Sequence, residues 1–388
     1  MVGNYRFCRQ KRVKKIVIGL LALSVCFVML PFVAGRGSEV AFAGGSGSIV
    51  MEVSSKRILG GSGYDLELPM ASTTKAMTAL IIIERCNLKD IVTVPKEAQG
   101  IEGSSIYLRT GEKLTVEELL YGLMLRSGND AAVALAIHCA GSVDRFAALM
   151  NEKAEALGLK HTHFVNPHGL HHPDHYTSAY DLAVIASEAM QNPDFAKIVG
   201  TKAIRITGSE AAGERYLVNK NKILTQYPGG NGVKTGFTTD AGRCLIAASV
   251  RDGMQVVAVV LNKYDMWEAC SRLMDSAHEN YQMQEVLSEN EILAEASCDE
   301  KLKPASVALM AKSGFRYPLK KDGSESVSIV TKGVCGIVKP MPRGADNGIA
   351  EIYFDNRLIF STKLITMDMV EKKGFWERMF PSASDETQ

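Results

Sequence analysis

The chain has 388 residues, 46% of them apolar and 22% charged, which is long enough for two domains with separate cores and too apolar for a disordered chain. Its 44 lysines and arginines balance 43 aspartates and glutamates for a formal net charge of +1, so the charge balance does not point to nucleic acid or another polyanion as partner. Function must be read from a site.

The N-terminus carries an address. A basic stretch, Arg9 to Lys15, precedes the apolar run Ile16 to Ala34, and a short polar segment then ends in Ala41-Phe42-Ala43 before Gly44. This is the three-part layout of a secretory signal peptide, here over residues 1–43. The run is also long enough for a retained anchor, but Pro31 near its end and the Ala41-x-Ala43 pair favour cleavage. Either way the remainder is exported. Of the eight cysteines, Cys8 and Cys26 lie in the signal, and Cys26 lacks the small-residue context of a lipoprotein site. Cys86, Cys139, Cys244, Cys270, Cys298 and Cys335 are scattered without CxxC or Cys/His spacing. They read as small core residues rather than metal ligands or a disulfide framework. The sequence calls for no metal and no cofactor.

In chain order, Gly47 to Val53 and Ile58 to Gly61 read as a hairpin whose first strand alternates apolar and polar positions. A uniformly apolar helix follows from about Ser72 to Cys86, a pattern expected of a central, buried element. Leu114 to Arg126 opens with a Thr115 to Glu118 capping box, breaks at Ser127-Gly128 and resumes over Asn129 to Gly141. Two more helices run over Val143 to Gly158 and from Ser178 to Met190, the second with Asp181 in its first turn. Beyond Thr201, Ala241 to Arg251 turns at Asp252-Gly253 into Met254 to Lys263, a hairpin, and Met266 to Tyr281 forms a closing helix. Helices set between strands of one antiparallel sheet predict an α/β layered domain over residues 44–285. Short alternating runs split by Gly, Pro and Asp predict a small all-β domain over residues 286–368. In the tail, residues 369–388, Phe375, Trp376, Met379 and Phe380 stand beside Lys372, Lys373 and Arg378. That composition suits a short interfacial helix and equally a solvated end.

Chemistry enters at Ser72 and Lys75. Residues three apart share a helix face, so a nucleophile and a potential base can touch. A helix N-terminus stabilises a developing alkoxide, and its free N–H groups can meet an oxyanion. Burial lowers a lysine pKa and lets its neutral amine accept the serine proton. On that tetrapeptide alone, a serine N-cap beside a surface lysine is the better reading. Ser127-Gly128-Asn129 at the helix break and Lys234-Thr235-Gly236 entering a strand reverse it, because S-x-x-K, S-D-N and K-T-G in that order mark active-site serine enzymes that act on, or are trapped by, β-lactams, and the middle motif here reads S-G-N.

With these motifs, and with Gly103 to Leu108, Asn166 to Leu170, Ser178 to Ala183 and Ile337 to Gly344, the sequence resembles the D-alanyl-D-alanine carboxypeptidases of the low-molecular-mass penicillin-binding group over nearly the whole mature chain. The resemblance implies a β-lactamase/transpeptidase-like α/β catalytic domain, with an antiparallel sheet, helices on both faces and an inserted helical cluster, followed by a small all-β domain. It implies that Ser72 attacks the D-Ala-D-Ala peptide bond, that Lys75 accepts its proton, and that Ser127 protonates the leaving D-alanine. Asn129 would hold the substrate amide, Lys234 and Thr235 its carboxylate, and Gly236 would permit close approach to the strand. The backbone N–H groups of Ser72 and Phe237 would form the oxyanion hole. The implied partners are peptidoglycan stem peptides, with β-lactams as inhibitors, at the extracytoplasmic face of a bacterial membrane, in the wall or secreted.

Family members commonly carry an arginine near the start of the last catalytic-domain helix, where this chain has Trp267. Lys220 is a candidate substitute for the carboxylate, although an exposed lysine without a role is the plainer reading. His168 is expected to structure its loop, with His171, His172 and His175 as solvated neighbours rather than metal ligands. A secreted β-lactamase needs a deacylating glutamate, and the only E-x-x-x-N spacing between the second and third motifs, Glu188 to Asn192, falls at a helix end. A non-catalytic wall-binding protein on the same fold would be signalled by loss of Ser72, Lys75 or Lys234, and all three are present.

Overall fold

The computed structural model describes residues 45–208 and 213–379; the signal segment and Phe380 lie outside them. The chain opens with the hairpin β1 (Gly47–Glu52) and β2 (Ile58–Ser62). All six residues of β1 are buried, so the expected alternation does not translate into one wet face. A 3-10 turn over Ala71–Thr74 leads into α1 (Lys75–Arg85), so the α-helix proper starts at the lysine and the serine sits in the turn before it. β3 (Ile91–Thr93) pairs with β4 (Lys113–Thr115), and Thr115 caps α2 (Val116–Leu125) through the box with Glu118. After the break at Ser127-Gly128 the chain resumes as α3 (Asn129–Ala140), α4 (Val143–Ala156), α5 (Ala179–Met190) and α6 (Pro193–Gly200). The hairpin β5 (Ala203–Ile206) with β6 (Arg215–Val218) and the one-turn α7 (Ile223–Gln226) come next. Then follow β7 (Gly230–Thr238), β8 (Gly242–Arg251), β9 (Met254–Leu261) and α8 (Met266–Asn280).

One antiparallel sheet in the order β2-β1-β9-β8-β7 forms the middle layer. Period-two geometry sends successive side chains to opposite faces. In β8, Leu245 and Ala247 join Met266, Cys270 and Met274 of α8 in one cluster, whereas Cys244, Ile246 and Ala248 join α1 and the helical group in the other. Both faces are therefore covered, which accounts for strands that read as continuous apolar runs. A fully buried side chain such as Met274 or Ile246 contributes about 1.5–3 kcal/mol relative to its exposed state. α1 lies inside this helical layer with Ala76 to Ile82 buried, as its uniform apolarity predicts.

The all-β domain has a five-stranded antiparallel sheet made from Ile292–Ser297, Ser306–Ala311, Arg357–Thr366, Asp346–Phe354 and Ser328–Lys332, in that spatial order. Strand pairing here extends from Tyr281, opposite Lys320, to Lys372, opposite Leu302, and Val370 is buried in the core with Leu302 and Ile337. Arg57, beside the first hairpin turn, ties this domain to the sheet. Its guanidinium lies 4.3 Å from the Phe354 ring centre and 5.3 Å from those of Tyr281 and Tyr317, pairs with Glu325 at 2.6 Å, and donates to the Pro318 carbonyl. Cation–π contact and a charge-assisted hydrogen bond act together on one mostly buried side chain.

A single carboxylate shapes the loop facing α3. Asp130 is fully buried; it accepts from Ser105 Oγ at 2.6 Å, from the Ile106 N–H at 3.1 Å, from the Leu108 N–H at 3.0 Å and from the Ala131 N–H at 2.9 Å. Asp130 directly follows the second motif, yet nothing local in the sequence marks it as an anchor. Replacement by alanine leaves buried donors unsatisfied. Asp130→Ala is expected to cost about 2–3 kcal/mol, read as a fall in the thermal unfolding midpoint; an unchanged midpoint would contradict this anchoring role.

Candidate active site

Lys75 has no solvent exposure. Its Nζ lies 3.1 Å from Ser72 Oγ, 2.7 Å from Asn129 Oδ1 and 2.5 Å from the His168 carbonyl. Asn129 is oriented by its own Nδ2, which donates to the Glu102 carbonyl at 2.6 Å, so Oδ1 must face the lysine. Two of the three partners can therefore only accept. A neutral amine has two N–H donors and one lone pair, and the one partner able to donate into that pair is the Ser72 hydroxyl. Burial first, then the charge of Lys234, holds the Lys75 pKa well below the ordinary lysine value, against the opposing pull of Asp130.

Ser72 sits in the 3-10 turn, half-buried, directly after Ala71 at φ +47. A non-glycine residue there is strained by about 1–3 kcal/mol, a cost the surroundings must offset. Those surroundings are tight. A Cβ on Gly169 would stand 1.9 Å from the Ala71 carbonyl oxygen, and one on Gly236 would stand 3.2 Å from the Ser72 nitrogen and 3.1 Å from the Met70 oxygen. Gly236 thus gives room to the Ser72 turn, a packing constraint that stands beside its expected part in admitting the substrate.

Ser127 occupies the break between α2 and α3 at φ +65, buried, while the Asn129 N–H donates to the Ser104 carbonyl at 2.7 Å. Lys234 is 2% exposed, and burial followed by the charge of Lys220 lowers its pKa to about 7. Its Nζ donates to the Thr235 carbonyl at 2.9 Å. Lys220 is exposed, 3.4 Å from Ser104 Oγ, and its charge acts on both Lys75 and Lys234, so it faces the same space. Phe237 turns its ring outward, 66% exposed, and β7 is the terminal strand of the sheet. Every second N–H and C=O along its outer edge therefore lacks a strand partner. Ser72, Lys75 and Asn129 are thus in direct contact, the Gly236 backbone lies against the Ser72 turn, and Lys234, Lys220 and Lys75 share one electrostatic field.

Trp267 packs on the α8 cluster with Lys222 Nζ 5.9 Å from its ring centre. Arg243, which the sequence reading missed, stands opposite Phe237 in the β7–β8 ladder with its guanidinium 4.9 Å from the Tyr264 ring centre. Glu188 pairs with Lys56 at 2.7 Å and Asn192 caps α6, so the E-x-x-x-N spacing is spent on structure. His175 corrects an expectation. It is 2% exposed and packs edge-on against Phe164 at 5.8 Å, whereas His172 is solvated.

Comparison with known proteins identifies the family. The family model described as D-alanyl-D-alanine carboxypeptidase matches residues 39–265, and that of the penicillin-binding protein 5 C-terminal domain matches residues 281–372. The D-alanyl-D-alanine carboxypeptidase DacF of Bacillus subtilis is 32% identical over 351 residues, spanning 88% of this chain and 89% of that protein. A Streptomyces D-alanyl-D-alanine carboxypeptidase is 38% identical over 214 residues, spanning 51% of this chain and 73% of that protein. Among solved structures, penicillin-binding protein 5 from Haemophilus influenzae superposes with a TM-score of 0.69 at 27% identity, covering 84% of this chain and 97% of that one. The chain belongs to the D-alanyl-D-alanine carboxypeptidase family, serine peptidases of the low-molecular-mass penicillin-binding group.

Proposed function

We propose that the chain removes the terminal D-alanine from peptidoglycan stem peptides through an acyl-enzyme on Ser72. The observation that carries this reading is the hydrogen-bond set of Lys75, which leaves the Ser72 hydroxyl as the one donor to a neutral amine. Lys75 takes the Ser72 proton as Oγ attacks the penultimate carbonyl. The new oxyanion is met by the N–H groups of Ser72 and Phe237. Ser127 passes a proton to the departing amine, and Asn129 holds the substrate amide while it orients the base. Thr235 and the charge of Lys234, with Lys220 at the margin, receive the terminal carboxylate. The extended substrate pairs with the open edge of β7. Water then releases the shortened peptide, and a β-lactam, which mimics the dipeptide, stays bound. This chemistry belongs outside the cytoplasm, where the exported wall substrate lies.

Two buried lysines must hold opposite charge states. Burial first, and then the charge of Lys234, depresses Lys75, whereas Lys234 is depressed by burial and then by Lys220; the acylating state is the one with Lys75 neutral and Lys234 charged. Acylation therefore rises with pH as Lys75 becomes neutral, and carboxylate affinity falls as Lys234 loses its charge above about 7 in the free enzyme.

Contact with the membrane is part of the same proposal. α9 (Phe375–Met379) follows the last strand with the Phe375 side chain exposed, and Glu377 pairs with Lys303 at 3.0 Å. No single helix among the described residues is long and apolar enough to cross a bilayer. A short aromatic-basic element instead binds an anionic surface weakly and reversibly.

The direct assay is release of free D-alanine from a peptide ending in D-Ala-D-Ala by the chain starting at Gly44; no release would overturn the reading. Ser72→Ala is expected to abolish covalent labelling by a fluorescent penicillin in a folded protein, and labelling at normal stoichiometry would remove Ser72 as nucleophile. The wild-type kcat/KM profile should be bell-shaped in pH. Lys75→Arg, which keeps its proton at any working pH, should slow acylation by about 10² or more, and near-normal acylation would eliminate the lysine base. A chain ending at Gly374 should keep D-alanine release on a soluble peptide yet bind anionic vesicles less than the full mature chain; equal binding would remove the anchoring role.

A further inference from the structure

One buried titratable group beside the nucleophile takes no part in the chemistry described so far. His175 Nδ1 accepts from the Val165 N–H at 3.0 Å, so in the neutral ring the proton is on Nε2. Nε2 lies 2.8 Å from Thr74 Oγ1 and therefore donates to it. The Thr74 hydroxyl has a single proton, and it goes to the Ala71 carbonyl oxygen at 2.8 Å. The direction of each bond is fixed by the one before it. Burial first, and then neighbouring charge, hold the His175 pKa down to about 3, so the ring stays neutral through the working range.

The end of this chain matters because the Ala71 C=O and the Ser72 N–H belong to one planar trans peptide. Holding the oxygen on one side aims the N–H at the other. The oxygen side is closed by the Thr74 hydroxyl and by Gly169, and the nitrogen side faces Gly236 of β7. Accepting a hydrogen bond at the oxygen also polarises the N–H of the same peptide. We propose that His175 is a positioning residue for the oxyanion hole, fixing through Thr74 the plane of the Ala71–Ser72 peptide and so the direction of the Ser72 N–H. This rests on the reading of Ser72 as nucleophile and oxyanion donor.

Two isosteric variants separate positioning from mere packing. The side-chain nitrogen of His175→Gln reaches the place of Nε2 and keeps the bond to Thr74, while the amide oxygen of His175→Asn takes the place of Nδ1, still accepts from the Val165 N–H and leaves Thr74 without its donor. Penicillin acylation rates, normalised to folded protein by circular dichroism, should stay within a few-fold of wild type for Gln and fall about tenfold for Asn and for Thr74→Val, with non-covalent affinity unchanged; the full loss of an oxyanion donor costs about 10²–10³. The double variant Thr74→Val/His175→Asn should be no slower than the worse single one, because both break one chain. Asn acylating as fast as Gln, or additive losses in the double variant, would overturn the inference. Peptide mapping of the acylated wild type distinguishes a deeper failure: a label elsewhere than Ser72 would sink the parent reading and this one with it.

Discussion

Everything at the catalytic end of this molecule is arranged around one amine-bearing side chain with no access to water. Lys75 is the first residue of α1, a helix whose next seven residues are buried. A charge placed there in isolation would be costly. The structure meets that cost with two fixed acceptors, Asn129 Oδ1 and the His168 carbonyl, drawn from two separate segments of the chain. Those same contacts hold the helix break at Ser127 and the loop through Gly169 against the Ser72 turn. Lys75 is thus the keystone of the fold around it.

Much of this was legible in the sequence. The helix at Ser72, the capping box at Thr115 and the β8–β9 hairpin each rest on a local signal, and local signals survive folding. The three motifs were legible because their residue types are chemically unusual where they stand. What escaped were features set by distant partners. β1 looked amphipathic because its polar positions are serine and glutamate, yet both are buried: Ser48 bonds to Ser62, and Glu52 accepts from Ser54 and Ser55. α6 and the β5–β6 hairpin are too short for periodicity to mark. His175 looked like one solvated histidine among several, because nothing in its neighbourhood of sequence reveals that Thr74, more than a hundred positions earlier, waits for a donor. The same limit applied to Gly236, whose neighbour in space is the Ser72 turn.

The all-β domain contributes no group to the site and is nonetheless fastened to the catalytic sheet by Arg57, one side chain engaged by three rings, a carboxylate and a carbonyl. Because a guanidinium keeps its charge at every relevant pH, this attachment is indifferent to the protonation changes that govern the lysines. Chemistry and architecture therefore answer to different variables.

The open edge of β7 has a consequence beyond catalysis. A terminal strand offers its unpaired backbone to any extended chain, including another copy of the same protein, and exposed edges of this kind invite aggregation. Proteins blunt that hazard with short strands, bulges or charges turned inward along the edge. β7 spans nine residues, carries a register shift between Gly230 and Gly232, and places Lys234 facing into the molecule. The shifted register and the inward-turned lysine are two of these devices on one strand, and they make β7 a poor template for regular pairing with a second copy. The edge can thus stay open to a short extended peptide without offering a long, regular ladder to another sheet.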